Sequence, residues 1–532
     1  MRLVEAKRKQ WSLIAGFLFF GNLYLACRIT DVFGAALIVL AYSVVLPLDV
    51  FLNAGAAKVL CRTMRVRKSK RQAESASSFC NHYFLPHIFM GGIVSVTLLF
   101  GSNLLMTKVF HVSLCTPVLQ ILALLIVFRC LFSWASGGVR GEGRDLPVSA
   151  MLVGRQILTG VLILLLARSR MQYGEKISAF FAQEHFASLH GGIGIALSML
   201  IAEGILSVLT AVMYLTLSHQ SRTKANGKNR ETMFGVVRVV TKNRVTSMLI
   251  LGLSVLILPV SFAFFHKAAE YAENSLTEFG VYGGLYVAII GALTAFLFHR
   301  LVPVAAICTN KLKKEEIRFA KFSFRSGVAI GTTRAMFYVV FAFLMARMIS
   351  NVFGGEQTVL LEPMIQYGTA VGMLLSLAFY FAEVLILSGN ERVVLVMTAL
   401  GAAVYLIGLA LLLNTELSGS MALVCALLIV SLCVCVLLGL MAGKVLRYRF
   451  DLIQSLALPF VAAVLAGIVS LVLGKLLAPH LGQALTLAIC FVISQFLYWI
   501  VTFMLHIFRL EELAQVPGGK IITAIGQMFH LI

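Results

Sequence analysis

Charge is the first thing this chain lacks. Only 13% of its 532 residues are Asp, Glu, Lys or Arg, about half of the ~25% found in an ordinary soluble protein. That shortfall excludes a water-soluble globular enzyme and any disordered or fibrous class. The ten cysteines are scattered, and no CxxC or Cys/His spacing marks a metal site or a disulfide framework. Cys27, Cys130, Cys425, Cys433, Cys435 and Cys490 fall inside apolar runs, where cysteine behaves as a small hydrophobe. There is no Walker A motif, no H-E-x-x-H and no G-x-S-x-G, so the chain is expected to be neither an ATPase nor a hydrolase and to need no cofactor. The longest polar stretch, 219–244, is too short to bury a core of its own.

What is abundant is apolar length. Hydrophobic residues make up 60% of the sequence, and the mean hydropathy is +0.93. Runs of about 20 apolar residues recur, each long enough to cross a hydrocarbon layer of roughly 30 Å. The spans read from the sequence are 11–29, 32–57, 79–102, 118–138, 147–167, 191–217, 245–266, 280–300, 327–350, 359–387, 393–414, 420–443, 452–477 and 483–508. Their apolar continuity is wrong for alternating barrel strands, so helix is the remaining way to satisfy the backbone in lipid. The first span follows a basic segment as a signal peptide would. It runs too long, however, and leads into Arg28 and Asp31 rather than a small-residue cleavage site.

The 44 Lys and Arg against 23 Asp and Glu give a formal charge of +21. In a soluble protein this would point to nucleic acid; here the excess reads as a topological signal, with no nucleic-acid partner expected. With the N-terminus placed inside, 33 of the 44 basic residues fall in inner segments, 8 in outer ones, and Arg129, Arg155 and Arg334 within spans. That bias predicts a multi-pass protein of the cytoplasmic (inner) membrane with both termini cytoplasmic.

The two halves echo one another. Phe33-Gly34-Ala35-Ala36-Leu37 opens the second span and Phe279-Gly280-Val281-Tyr282-Gly283 the eighth. The turn 140–144, RGEGR, recurs as 388–392, SGNER, and long basic loops follow the second and eighth spans alike. Offsets of 246 and 248 residues predict two six-helix bundles related by an axis along the membrane normal. The expected fold is therefore all-α and integral to the membrane. It has about fourteen helices: a six-helix bundle in 1–218, a basic cytoplasmic linker 219–244, a pseudo-symmetric bundle 245–443, and two further helices with a cytoplasmic tail in 444–532.

Ionisable groups inside spans are costly and mark function by default. They are Arg28, Asp31, Asp49, Arg129, Arg155, Glu203, Arg334, Arg347, Glu362 and Glu383. Arginine dominates, and its planar fork of donors matches phosphate oxygens two at a time. Arg129 and Arg155, with Arg28, are the expected contacts to a substrate diphosphate. Asp49 and Glu203 would balance their charge or bind a coupling sodium ion or proton. The competing role for either arginine is a structural ion pair with a carboxylate on a neighbouring helix. Pro47 and Gly55 flank Asp49 in a segment read as broken, which can open backbone groups to a cavity. His82 and His87, near the start of the third span, and Glu383, near the end of the tenth, read as boundary residues, and Arg347 as an interfacial one.

Several segments resemble those of the stage V sporulation protein B-like polysaccharide exporters. They are FGAALIVLAYSVVLPLDVFLNAGAAKVLCRTMRVRKSKRQAE at 33–74, SGGVRGEGRDLPVSAMLVGRQ at 136–156, FGVYGGLYVA at 279–288 and LEELAQVPGGK at 510–520. The resemblance implies the multidrug/oligosaccharidyl-lipid/polysaccharide (MOP) exporter superfamily, with its MurJ-type and Wzx-type flippases. It further implies alternating access, an arginine-lined cavity, and two last helices shaping a lipid groove. The cargo would be a polyprenyl-diphosphate-linked glycan precursor, with membrane lipids and other envelope-synthesis proteins as partners, and with a coupling ion or the membrane potential as energy source. This chain departs from the family at Gly154-Arg155-Gln156, where a glutamate often precedes the arginine, and in the short stretch between Arg28 and Phe33. A multidrug cation antiporter of the same superfamily, or a non-transporting scaffold for envelope synthesis, are the alternatives.

Overall fold

The computed structural model describes residues 2–181, 185–222, 232–415, 417, 419–507 and 527. The segment 510–520 and the middle of the basic linker lie outside them. Among the described residues, helix is the only regular structure. In chain order the helices are α1 (Arg2–Asn53), α2 (Ala56–Ser69), α3 (Ala73–Leu104), α4 (Thr116–Gly141), α5 (Asp145–Leu162), α6 (Arg168–Phe181), α7 (Phe186–Arg222) and α8 (Met233–Ala268). There follow α9 (Glu273–Gly280), α10 (Val287–Lys313), α11 (Ile317–Leu344), α12 (Ala346–Gly354), α13 (Thr358–Gly368) and α14 (Ala370–Ser388). The last are α15 (Glu391–Leu412), α16 (Gly419–Leu446), α17 (Leu458–Leu481) and α18 (Gln483–Met504).

Thirteen helical stretches among the described residues are long and apolar enough to cross a membrane. The first, Gln10–Ser69, is 60 residues long and holds two of the expected spans. Their junction is a break at Asp31, whose φ of 67° and ψ of 168° are not helical. Its Oδ1 accepts the Val32 N–H at 2.5 Å, which restarts the helix. Each of the fourteen expected spans therefore has a counterpart, and the all-α membrane fold stands. The span expected at 359–387 is divided, α13 ending at Gly368 and α14 starting at Ala370. The Tyr286 hydroxyl donates to the Gly368 carbonyl at 3.0 Å, engaging that carbonyl from another helix.

Contacts divide the chain into two compact units, Gly21–Gly284 and Met1–Phe20 with Leu285–Ile532. In the first, α4 is the centre, packed on α2, α3 and α7. Its small residues permit the close approach: a Cβ on Gly137 would lie 2.9 Å from Leu60, and one on Gly141 2.5 Å from the Met64 sulfur. The repeated motif segments also meet here. A Cβ on Gly280 would run into the Val32 carbonyl, and one on Gly283 would sit 2.7 Å from Val39. Met233–Arg244, read from the sequence as linker, is the first third of α8. Val236 and Val240 are fully buried there in a core with Leu60, Met64 and Tyr214, so α8 packs with α2 and α3.

In the second unit the membrane-length window of α11 is the most enclosed, at 67% buried against 22% for that of α3 in the other unit. α11 packs on α10, α14 and α17. The last two helices are anchored to it: a Cβ on Gly467 would meet Leu344 at 2.5 Å, and Tyr498 donates to the Thr333 carbonyl at 2.5 Å.

Candidate functional site

A buried charge cluster forms the middle of the first unit. Its elements are α1 beyond the Asp31 break, α3, α4, α5 and α7. Asp49 and Asn53 lie one turn apart near the end of α1, and Pro47 and the left-handed Gly55 (φ 76°) bracket them. A proline removes one helical hydrogen bond, and a left-handed glycine ends the run, so α1 stops at Asn53 and α2 starts at Ala56. Arg244 of α8 donates from its guanidinium to the Leu52 carbonyl at this end of α1.

Arg129 of α4 reaches Asp49 Oδ2 at 2.7 Å through Nη1 and donates to the Tyr42 hydroxyl at 3.0 Å through Nη2. Its Nε lies 3.5 Å from Glu203 Oε2. Glu203 of α7 in turn accepts two hydrogen bonds from Arg155 Nη1, at 2.9 and 3.0 Å. The Glu203 side chain is 3% exposed and that of Arg129 13%. Arg155 also lies over the Phe132 ring, 5.7 Å from its centroid. Two guanidinium groups thus face two carboxylates, and these four charges cancel.

Polar side chains extend it. Asn53 Nδ2 donates to Asp49 Oδ1 at 2.8 Å, so its amide oxygen is the acceptor for His87, whose Nε2 is 3.0 Å away. His87 must then carry its proton on Nε2. It is 4% exposed, which corrects the reading of a boundary histidine: five residues past His82, and so about 140° further round the helix, its side chain points inward to Asn53, while His82 bonds locally to Ser78. Glu383 is likewise buried, at 5%. At the far side, Asn22 Nδ2 donates to the Gln156 carbonyl at 2.8 Å, next to Arg155.

Four of the five residues singled out from the sequence therefore come together: Asp49, Arg129, Arg155 and Glu203. Arg28 does not join them. It is exposed, three residues before the Asp31 break. Tyr42, Asn53 and His87 carry no net charge signal, yet Tyr42 and Asn53 are seven and four residues from Asp49. That helical spacing to a buried carboxylate was the available clue.

The turn 140–145 is a second polar assembly, at the end of α4. Arg65 donates to the Arg140 carbonyl at 3.0 and 2.8 Å and pairs with Asp145 at 2.6 Å, and Lys68 pairs with Glu142. It clasps the basic end of α2 to the α4–α5 turn.

Chemically, the central cluster can exchange partners. An incoming oxyanion would compete with Asp49 and Glu203 for two fixed forks of N–H donors. A carboxylate so released in a poorly hydrated interior would take up a proton or a cation. Among the described residues no group of three or more His, Cys, Asp or Glu could hold a metal ion.

The fold is that of known transporters. An inward-facing multidrug-resistance MATE-family transporter of the MOP superfamily superposes with a TM-score of 0.57 at 13% identity, covering 83% of this chain and 94% of that one. A MATE structure in complex with MaL6 gives 0.58 at 15% identity, covering 84% and 97%. A MOP-superfamily transporter from Pyrococcus furiosus, described as having a binding pocket of reverse polarity that suggests a different function, gives 0.55 at 15%, covering 84% and 98%. No family model matches the sequence. No curated protein matches it either.

Proposed function

We propose that this protein is a transporter of the MOP superfamily that moves a polyprenyl-diphosphate-linked cell-envelope glycan precursor across the cytoplasmic membrane by alternating access. The observation that supports this reading most is the Arg129–Asp49 and Arg155–Glu203 pairing within the membrane-spanning helices. Arginine is the side chain suited to a diphosphate, and here each arginine is held ready by a carboxylate that the diphosphate can replace. Displaced Asp49 and Glu203 would then load a proton or sodium ion, tying substrate binding to the ion gradient or membrane potential. No enzymatic step is needed. Depleting the protein should make a lipid-linked intermediate accumulate on the inner leaflet. Complementation by Arg129→Lys and Arg155→Lys should fail at normal protein abundance, because lysine keeps the charge and loses the bidentate geometry. Full complementation by both would reject the diphosphate assignment.

A second reading, a multidrug cation antiporter, draws support from the names of the MATE structures that share the fold and from the buried carboxylates. It predicts efflux of a lipophilic cation that Glu203→Gln abolishes, and no accumulation of a lipid-linked intermediate.

A further inference from the structure

The buried face at the start of α8 recurs every fourth residue, at Val236, Val240 and Arg244. The two valines are fully enclosed, and Arg244, next in the same stripe, is 8% exposed. Residues four apart share one helix face, so this arginine stands where an apolar side chain is expected. It lies against the junction of α1 and α2, where a Cβ on Gly55 would sit 3.1 Å from the Arg244 Cβ. Tyr83 and His87 of α3 stack with 4.7 Å between ring centroids. Both of them, and Cys130 of α4, are near enough to feel the charge of Arg244. His87 and Cys130 each meet Asn53, so Arg244 borders the Asp49 end of the central cluster.

Every carboxylate around it is engaged elsewhere or distant. Neither α2 nor α8 contains an Asp or Glu. On α1, Asp49 is held by Arg129 and Asn53, and Asp31 and Glu5 lie further back along that helix. The acid of α3 is Glu74, nine residues before Tyr83 and so about 13 Å away along the helix. Glu203 of α7 is held by both arginines of the cluster, and Glu142 and Asp145 after α4 by Lys68 and Arg65. The acids of α9 follow the opposite end of α8. Among the described residues Arg244 forms no ion pair, and its one hydrogen bond runs from Nη1 to the Leu52 carbonyl. Its Nε is enclosed without a partner, and the Tyr83 hydroxyl has none among the described residues. Capping one carbonyl at a helix end needs only a neutral amide. A guanidinium buried without a counter-charge is costly, and such a charge in a membrane protein marks function by default. Counted with the four charges that cancel, Arg244 leaves the group with one net positive charge.

We propose that Arg244 and the Tyr83 hydroxyl form an oxyanion site beside the central cluster that takes a phosphate group. The guanidinium donors not bonded to Leu52, together with the phenol, supply hydrogen bonds for its oxygens. The net positive charge, which the paired arginines do not provide, favours an anion over a cation there. The binding itself stands apart from the transport reading above; only the identity of the phosphate carrier rests on it.

The test uses the purified full-length protein in nanodiscs of zwitterionic lipid. Thermal melting is followed against inorganic pyrophosphate in one arm and against phosphatidic acid in the disc in the other. Wild type and Arg347→Gln, an exposed arginine on α12, should be stabilised alike. Arg244→Gln keeps a neutral donor for the Leu52 carbonyl and should need at least ~10-fold more ligand for the same shift, the loss of a charged hydrogen bond. Tyr83→Phe should need ~5-fold more, the loss of a neutral one. Arg244→Lys should fall between wild type and Arg244→Gln. Response to pyrophosphate assigns a soluble group, and response to phosphatidic acid alone a lipid headgroup; either supports the site. Without ligand, Arg244→Gln should melt at or above wild type, because the cap is kept and an uncompensated charge is removed. A lower melting point, or loss of folded protein, would mean that the charge serves the fold and would overturn the proposal. So would an undiminished response in Arg244→Gln or in Tyr83→Phe, or no response of wild type to either probe. If the variants weaken binding and depletion causes no lipid-linked intermediate to accumulate, the transport reading fails while the site stands. Accumulation together with an undiminished response keeps the transport reading and rejects the site.

Discussion

Glu203 is the residue on which the buried cluster turns, since among the described residues it alone pairs with both arginines. Glu203→Gln would leave Arg129 and Arg155 with only Asp49 between them. Breaking one side of a buried pair costs about 3–5 kcal/mol, whereas replacing the whole pair by apolar groups of similar size is often near neutral. The single variant should therefore melt well below wild type in detergent, and Arg155→Met with Glu203→Leu should recover most of the loss. A double variant no more stable than the worse single one would show that the pair is not the unit of stability. The four charged members were legible from sequence because a charge inside an apolar run stands out against its neighbours. Their mutual pairing was named only as one of two roles. Asn53 and His87 were not legible as members, because neutral polar side chains are ordinary in membrane helices and only the fold shows that His87 meets Asn53, 34 residues away.

At the scale of elements, glycine sets how closely α4 approaches its neighbours. In the stretch 137–141 the added Cβ atoms of Gly137, Gly138 and Gly141 would strike Leu60, Tyr214 and Met64 respectively. Small residues at such crossings let backbones come together where no hydrophobic drive between helices exists. Gly138→Ala should destabilise by ~1–3 kcal/mol, the usual cost of overpacking a filled core. Gly101→Ala, with nothing within 4 Å, should be neutral or stabilising by ~0.5–1 kcal/mol through helix propensity. Melting temperature and detergent-extracted yield compare the two directly, and equal effects would refute the packing argument. From the sequence this stretch stands out as a turn motif. In the structure its residues have separate roles, the glycines packing α4 while Arg140, Glu142 and Asp145 clasp α2. Those partners come from some 75 residues away, beyond any local pattern. Helix ends past the apolar spans were also hidden, because Ala56–Ser69 and Met233–Arg244 are polar sequences that suit a helix as well as a loop.

For the whole molecule, the number of crossings and the break at Asp31 could be read from apolar run lengths alone, since lipid leaves the backbone no other arrangement. Compactness is a separate property from the repeat: by packing, α8 and α9 belong with the unit 21–284 and the first twenty residues with the other. Which helix packs on which follows from side-chain fit, here Val236 and Val240 against Leu60 and Met64, and not from hydropathy. Orientation in the membrane depends on a different property, the placement of 33 of 44 basic residues in segments that share one side if the crossings alternate. This is testable with little background, because all ten native cysteines are buried or half-buried. Lys70 and Lys176 are exposed and lie at opposite ends of the alternation, after the second and fifth spans. A membrane-impermeant maleimide should label Lys176→Cys in intact cells and reach Lys70→Cys only after permeabilisation. A single basic loop can be dragged across a bilayer by its neighbours, but the bias here is carried by eight separate segments. Labelling of Lys70→Cys from outside would therefore require the whole register of crossings, and with it the cytoplasmic placement of both termini, to be inverted.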